Sequence, residues 1–157
     1  HRGMPMAAIL PFQPAFAADF RRINLAWLEQ YFTVEPLDLV YLDDPEGKIL
    51  APGGEVFLAV DDGVVLGTCA AIPHAPGVLE LAKFAVVPAA QGKGLGTALA
   101  QAVLDFARRR GDHTVMLLSN HRLTAALRIY ERLGFVRRPF PEPSPYADAD
   151  VYMERAV

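Results

Sequence analysis

Residues 91–97 read Gln91-Gly92-Lys93-Gly94-Leu95-Gly96-Thr97, and this stretch separates two regular patterns. Before it, Val78 to Val87 is an apolar, strand-like run that stops at Pro88. After it, Leu95, Ala98, Leu99, Ala102, Val103, Phe106 and Ala107 form one apolar stripe at helical spacing, with Gln101, Asp105 and Arg108 outside it. Glycines in a strand-to-helix turn let backbone N–H groups approach an anion without interference from Cβ. The helix start adds unpaired donors and the positive end of the dipole, so a pyrophosphate is the expected guest. A tight turn with no ligand is the plain alternative. Two phosphate motifs fail on spacing. The Walker pattern requires Ser or Thr after the lysine, but Lys93 is followed by Gly94. The dinucleotide fingerprint requires GxGxxG at the first strand of a βαβ unit, whereas these glycines alternate late in the chain.

Working outward, Ala8 to Phe12 reads as a first strand. Phe16, Phe20, Ile23, Trp27, Leu28 and Tyr31 then recur at helical spacing. A second short helix is expected from Pro36, ending before Pro45, and Pro45 to Gly54 reads as a loop. Glu55 to Val60 and Val64 to Ile72 flank Asp61-Asp62-Gly63, a hairpin signal. Beyond the long helix, Gly111 is a natural C-terminal cap. Thr114 to Leu118 reads as a strand, and Ser119 or Asn120 is placed to cap a helix running to about Leu133. Phe135 opens a further strand, Pro139 to Pro145 a loop, and Asp150 to Glu154 a last strand. This order gives an α/β (α+β) domain with a mixed, mostly antiparallel sheet flanked by helices.

The bulk properties narrow the function. A chain of 157 residues suits one domain, and 52% apolar with 21% charged residues is an ordinary globular composition. His1, Arg2 and Gly3 precede Met4 and read as an expression remnant, so the expected domain is 4–157. A net charge of -3 argues against a nucleic-acid partner, and Arg108–Arg110 reads as a solvated helix end. Cys69 is the single cysteine, which rules out an internal disulfide, and its apolar setting marks it as core. No apolar run has membrane-span length, no signal peptide is recognisable, and the four histidines lack metal-ligand spacing. A cytoplasmic protein with no metal and no membrane partner is the expectation.

Gln91, Gly94 and Gly96 satisfy the signature Gln/Arg-x-x-Gly-x-Gly/Ala, and the sequence resembles the GNAT N-acetyltransferase family at this point. Phe84-Ala85-Val86-Val87-Pro88 resembles the strand preceding that signature, and Ile129-Tyr130-Glu131-Arg132-Leu133-Gly134-Phe135 resembles the family's later LYExxGF segment. Gly53-Gly54, Asp62-Gly63 and Val65-Leu66-Gly67 resemble its hairpin. The likeness extends over most of the chain from Phe16 onward. It implies the acyl-CoA N-acyltransferase fold, acetyl-CoA as cosubstrate, and transfer of acetyl to an amine by direct attack.

The resemblance also implies roles. Phe84, Ala85 and Val86 would pair with pantetheine and supply the oxyanion donor, and Gln91, Gly92, Lys93, Gly94, Leu95, Gly96 and Thr97 would hold the pyrophosphate. Tyr130 matches the general acid; a phenol of pKa ~10 keeps its proton at neutral pH. Many members carry Asn seven residues before this tyrosine, where this chain has Leu123, so Asn120 is the nearest substitute for cofactor binding. Glu80 is the candidate base, because simple alternation puts it on one face with Ala82, Phe84 and Val86. A bulge would break that register. Lys83 falls on the opposite face and reads as structural. The acceptor site is expected from the first two helices and the hairpin loops, where Asn24, Tyr31, Phe32 and Glu35 lie.

A small-molecule amine is the expected acceptor, with a homodimer left open. The alternatives are a non-catalytic acyl-CoA sensor and a protein N-acetyltransferase on the same fold. Tyr130 favours an enzyme, since a pure binder has no need of an acid there.

Overall fold

A computed structural model of the chain describes residues 7–157. The suggested remnant at 1–3 and the boundary at Met4 lie outside the described residues. The strands are β1 (Ala8–Pro11), β2 (Glu55–Asp61), β3 (Val64–Ala75), β4 (Val78–Val86), β5 (Thr114–Ser119), β6 (Val136–Arg137) and β7 (Val151–Ala156). The helices are α1 (Ala17–Tyr31), α2 (Pro36–Asp43), α3 (Leu95–Arg110) and α4 (Thr124–Arg132). The strands form one sheet in the order β1-β2-β3-β4-β5-β7-β6, and only β4 and β5 run parallel.

Strand alternation sorts the apolar residues to two faces. Val56 and Leu58 of β2 pack with Phe20, Ile23 and Leu42 of α1 and α2. Phe57 and Ala59, on the other side, pack with Leu99, Val103 and Leu104 of α3. Helices thus cover both faces of the central strands.

Several turns follow their residue chemistry. Asp62 (φ 49°) and Gly63 (φ 77°) close the β2–β3 hairpin in the left-handed region. Gly111 ends α3 with φ 83°, and the Asp112 N–H then reaches the Ala107 carbonyl at 3.0 Å.

Three local expectations are corrected. The segment expected to be loop throughout, Pro45 to Gly54, contains a π-helical turn at Glu46–Leu50, closed by Ala51 N–H donating to the Glu46 carbonyl at 2.8 Å. The helix expected from Ser119 or Asn120 begins at Thr124, with Leu123 at the N-cap. Asn120 does not cap it. Its Oδ1 accepts from Arg122 N–H at 2.9 Å and its Nδ2 donates to the Asp148 carbonyl at 2.7 Å, so the side chain closes a local turn instead.

The third correction concerns β4. Thr68 pairs with Ala85 and Ala70 with Ala82, so Cys69 alone faces both Lys83 and Phe84. This is a β-bulge, and Lys83 adopts φ 50° within it. The alternation expected to place Glu80, Ala82, Phe84 and Val86 together is therefore broken. Ala82 and Ala85 pack on the α1–α2 side, whereas Leu81, Phe84 and Val86 pack on the α3 side. Lys83 is not opposite Glu80 either; both line one cavity on the α1–α2 side.

Candidate active site

β4 and β5 are in register only from Val78–Thr114 to Glu80–Met116. Beyond that point β4 continues beside β3 to Val86, and β5 continues beside β7 to Ser119. The two strands diverge. The β5-facing backbone edge of β4 from Leu81 onward is thereby left without a strand partner.

A groove of about 440 Å³ occupies the diverging end. Phe84, Ala85 and Val86 form one wall, Gln91, Gly92, Gly94, Leu95, Gly96 and Thr97 the next, and α4 with Arg122 and Arg132 the third. The glycine turn has the required conformation, with Gly92 at φ 76° and Gly94 at φ 85°. The first bond into α3 is Ala98 N–H to the Gly94 carbonyl, so the N–H groups of Leu95, Gly96 and Thr97 have no intrahelical acceptor. A Cβ on Gly96 would lie 2.9 Å from Phe84 Cζ and 3.0 Å from Ile129 Cδ1. A side chain there would press on these two side-chain ends and require them to shift. Gln91 turns back, and its Nε2 donates to the Val86 carbonyl at 3.0 Å.

The bulge is anchored by buried polar groups. Asn24 Nδ2 donates to Phe20 O at 2.8 Å and to Thr68 Oγ1 at 2.9 Å, and Thr68 Oγ1 donates to the Lys83 carbonyl at 2.8 Å. Lys83 Nζ makes a 2.7 Å ion pair with Asp38 Oδ1 of α2, and both side chains are nearly sealed from solvent. Its ammonium also lies 5.0 Å from the Tyr146 ring centroid.

Tyr130 is buried on α4 between Phe84 and Phe135, with ring centroids 5.6 and 5.8 Å away. Its hydroxyl has no hydrogen-bond partner among the described residues. It borders a chamber of about 110 Å³ that shares Phe84, Leu123 and Ala126 with the groove. The chamber also shares Leu118, Ser119 and Lys83 with a second cavity on the α1–α2 side. Burial pushes the phenol well above its ordinary pKa, so it holds its proton throughout the physiological range.

Glu80 borders that second cavity and a third one beside it. No hydrogen bond or ion pair engages its carboxylate among the described residues. Burial raises its pKa above the usual carboxylate value, against the opposing pull of His74 and Lys83.

The expected residues thus divide. Phe84, Ala85, Val86, Gln91, Gly92, Gly94, Leu95, Gly96 and Thr97 line one groove, while exposed Lys93 stands outside its lining. Asn120 lies in the second cavity. Of the suggested acceptor residues, Phe32 and Glu35 line the second cavity, Tyr31 lines the groove, and Asn24 is buried beneath the bulge. The Pro-rich segment, read in the sequence only as a loop, forms a wall of the third cavity through Phe140 and Glu142, and Tyr146 just beyond it extends that wall. Arg122 and Arg132 were not singled out by any motif, and nothing in their local pattern distinguishes them from surface arginines.

Solved acetyltransferase structures share this fold. A GNAT-family acetyltransferase from Staphylococcus aureus matches with TM-score 0.86 and 17% identity, covering 95% of this chain and 98% of that one. The yncA structure from Salmonella typhimurium, determined with its cofactor acetyl-CoA, matches with TM-score 0.76 and 24% identity over 97% and 94% of the two chains. The Acetyltransferase (GNAT) family model matches residues 18–135, and the chain belongs to that family. A mycothiol acetyltransferase from Rhodococcus erythropolis is 42% identical over 99 residues, 60% of this chain and 31% of that protein. The N-acetylaspartate synthetase of Rattus norvegicus is 34% identical over 117 residues, 73% of this chain and 37% of its own length. The chain spans about a third of these curated relatives.

Proposed function

We propose that the chain is a single acetyl-CoA-dependent N-acetyltransferase domain that acts on a small amine by direct attack in a ternary complex. The observation carrying this reading is the hydroxyl of Tyr130, without a hydrogen-bond partner among the described residues, bordering the chamber that shares its lining with both the groove and the second cavity.

The groove suits the cosubstrate. Three free N–H groups at the start of α3 and the positive end of a 16-residue helix favour a pyrophosphate. Arg122 and Arg132 add positive charge on the facing wall. The open edge of β4 can pair with amide groups as an added strand would. Acetyl-CoA, when bound, supplies an acetyl group activated as a thioester.

The protein's part is positioning and proton traffic. The Thr68 and Asn24 hydrogen bonds hold the bulge that turns Phe84 toward the groove side. Tyr130 donates its phenolic proton to the departing thiolate sulfur. Glu80 receives, through water, the proton released from the attacking amine; its raised pKa brings it nearer to neutral, where a base is most effective. The test is release of thiol from acetyl-CoA with a panel of small amines. Label passing from acetyl-CoA only to proteins would refute the small-molecule acceptor and leave the family assignment intact.

A further inference from the structure

The two cavities beyond Tyr130 are lined by an unequal set of charges. Glu35, Asp38, Glu80 and Asp148 border the second cavity, against one cation, Lys83. That cation is already paired with Asp38 at 2.7 Å. Glu35 accepts only backbone N–H groups there, from Ala147 at 3.2 Å and within the first turn of α2. Glu80 has no partner among the described residues, where no buried side-chain polar atom lacks one, so its oxygens reach open cavity space.

The third cavity, about 390 Å³, continues from the second, because Glu80, Leu118 and Tyr146 border both. It adds the rings of Tyr41, Phe140 and Tyr152 and the carboxylate of Glu142. Its one basic side chain is His74, 3.6 Å from that carboxylate. The cosubstrate groove is opposite in character: Arg122 and Arg132 line it and no carboxylate does.

Charge complementarity of this kind selects among ligands by sign. Aromatic rings beside carboxylates receive a protonated nitrogen well, through cation–π contact and ion pairing. A ligand carboxylate would instead meet Glu80 and Glu142 with no free cation to offset them.

Building on the acetyltransferase reading, we propose that the acceptor is a diamine-like molecule. One amine faces Tyr130, a second protonated nitrogen sits among Tyr41, Tyr152 and Glu142, and no carboxylate is present. This separates the chain in acceptor charge from its relative named for N-acetylaspartate.

The test uses three acceptors of one chain length that differ only at the far end: cadaverine, pentylamine and δ-aminovalerate. Each is assayed for kcat/KM with the intact protein and acetyl-CoA. Cadaverine should exceed pentylamine, and δ-aminovalerate should fall at least about tenfold below cadaverine, a difference equal to about 1.4 kcal/mol. Glu142→Gln should narrow the ratio of cadaverine to pentylamine. Equal or faster turnover of δ-aminovalerate would overturn the proposal. So would no turnover of all three by protein that still binds acetyl-CoA, which would leave an acetyltransferase with another acceptor. Failure to bind acetyl-CoA would overturn the acetyltransferase reading itself.

Discussion

Lys83, in the bulge of β4, and Asp38, in the first turn of α2, form a 2.7 Å ion pair almost closed to solvent. It ties α2 to the strand whose residues Phe84–Val86 line the groove. Removing one member of such a pair strands the other charge in the interior. Asp38→Ala should therefore cost about 3–5 kcal/mol of stability. Lys83→Met with Asp38→Leu, which deletes both charges, should recover much of that loss. Urea unfolding of the single and double variants measures the difference.

Gly94 and Gly96 are two residues apart but constrained differently. At Gly94 a side chain would meet no atom within 4 Å, yet φ is 85°. Gly94→Ala should cost about 1–2 kcal/mol from backbone conformation alone. At Gly96 the obstacle is packing against Phe84 and Ile129, and Gly96→Ala should cost about 1–3 kcal/mol. Both should reduce the rise in Tm given by acetyl-CoA, since each disturbs the N–H groups at the start of α3. Thermal unfolding with and without acetyl-CoA checks this.

Tyr130→Phe keeps the ring among Phe84 and Phe135 and removes a hydroxyl that has no partner among the described residues. Stability should change little. Turnover should fall roughly 100-fold or more, the scale of a lost general acid. The affinity for acetyl-CoA, measured by calorimetry, should be nearly unchanged.

Glu80 has a pKa raised mainly by burial, so folding favours its protonated form. The stability it contributes is present below its unfolded pKa of ~4.3 and is lost as pH rises through the higher folded value. Glu80→Gln should consequently stabilise the protein at neutral pH, with the gain vanishing below about pH 4. The acidic limb of kcat/KM, expected above the normal carboxylate range in wild type, should flatten in the same variant. Stability curves and rate profiles across pH measure both effects.

The sequence disclosed the parts of this fold governed by local chemistry. The helix from Leu95, the Asp62-Gly63 turn and the Gly111 cap each depend on residues adjacent in the chain, and each is formed as read, although the buried face of α3 also takes in Ala100 and Leu104 and leaves Ala98 exposed. Features set by distant partners were not legible. Lysine carries no signal for φ 50°, and the bulge at Lys83 rests on Thr68, Asn24 and Asp38, which come from other elements. Asn120 has the composition of a helix cap, but its hydrogen bond to Asp148, 28 residues on, draws it into a turn. The single error in the register of β4 displaced Phe84 and Val86 from the face assigned to Glu80. The role of the Pro-rich segment as a cavity wall likewise emerges only when β7 returns to the sheet beside β5.

Thiol release from acetyl-CoA, followed with and without each of a broad panel of small amines that includes cadaverine, alongside quantification of the acetylated amine, tests the central claim most directly. Release should depend on the amine, saturate with its concentration, and yield one acetylated amine for each thiol. Thiol appearing at the same rate without an amine, or none appearing while acetyl-CoA is bound and amines are in excess, would contradict an N-acetyltransferase acting on small amines.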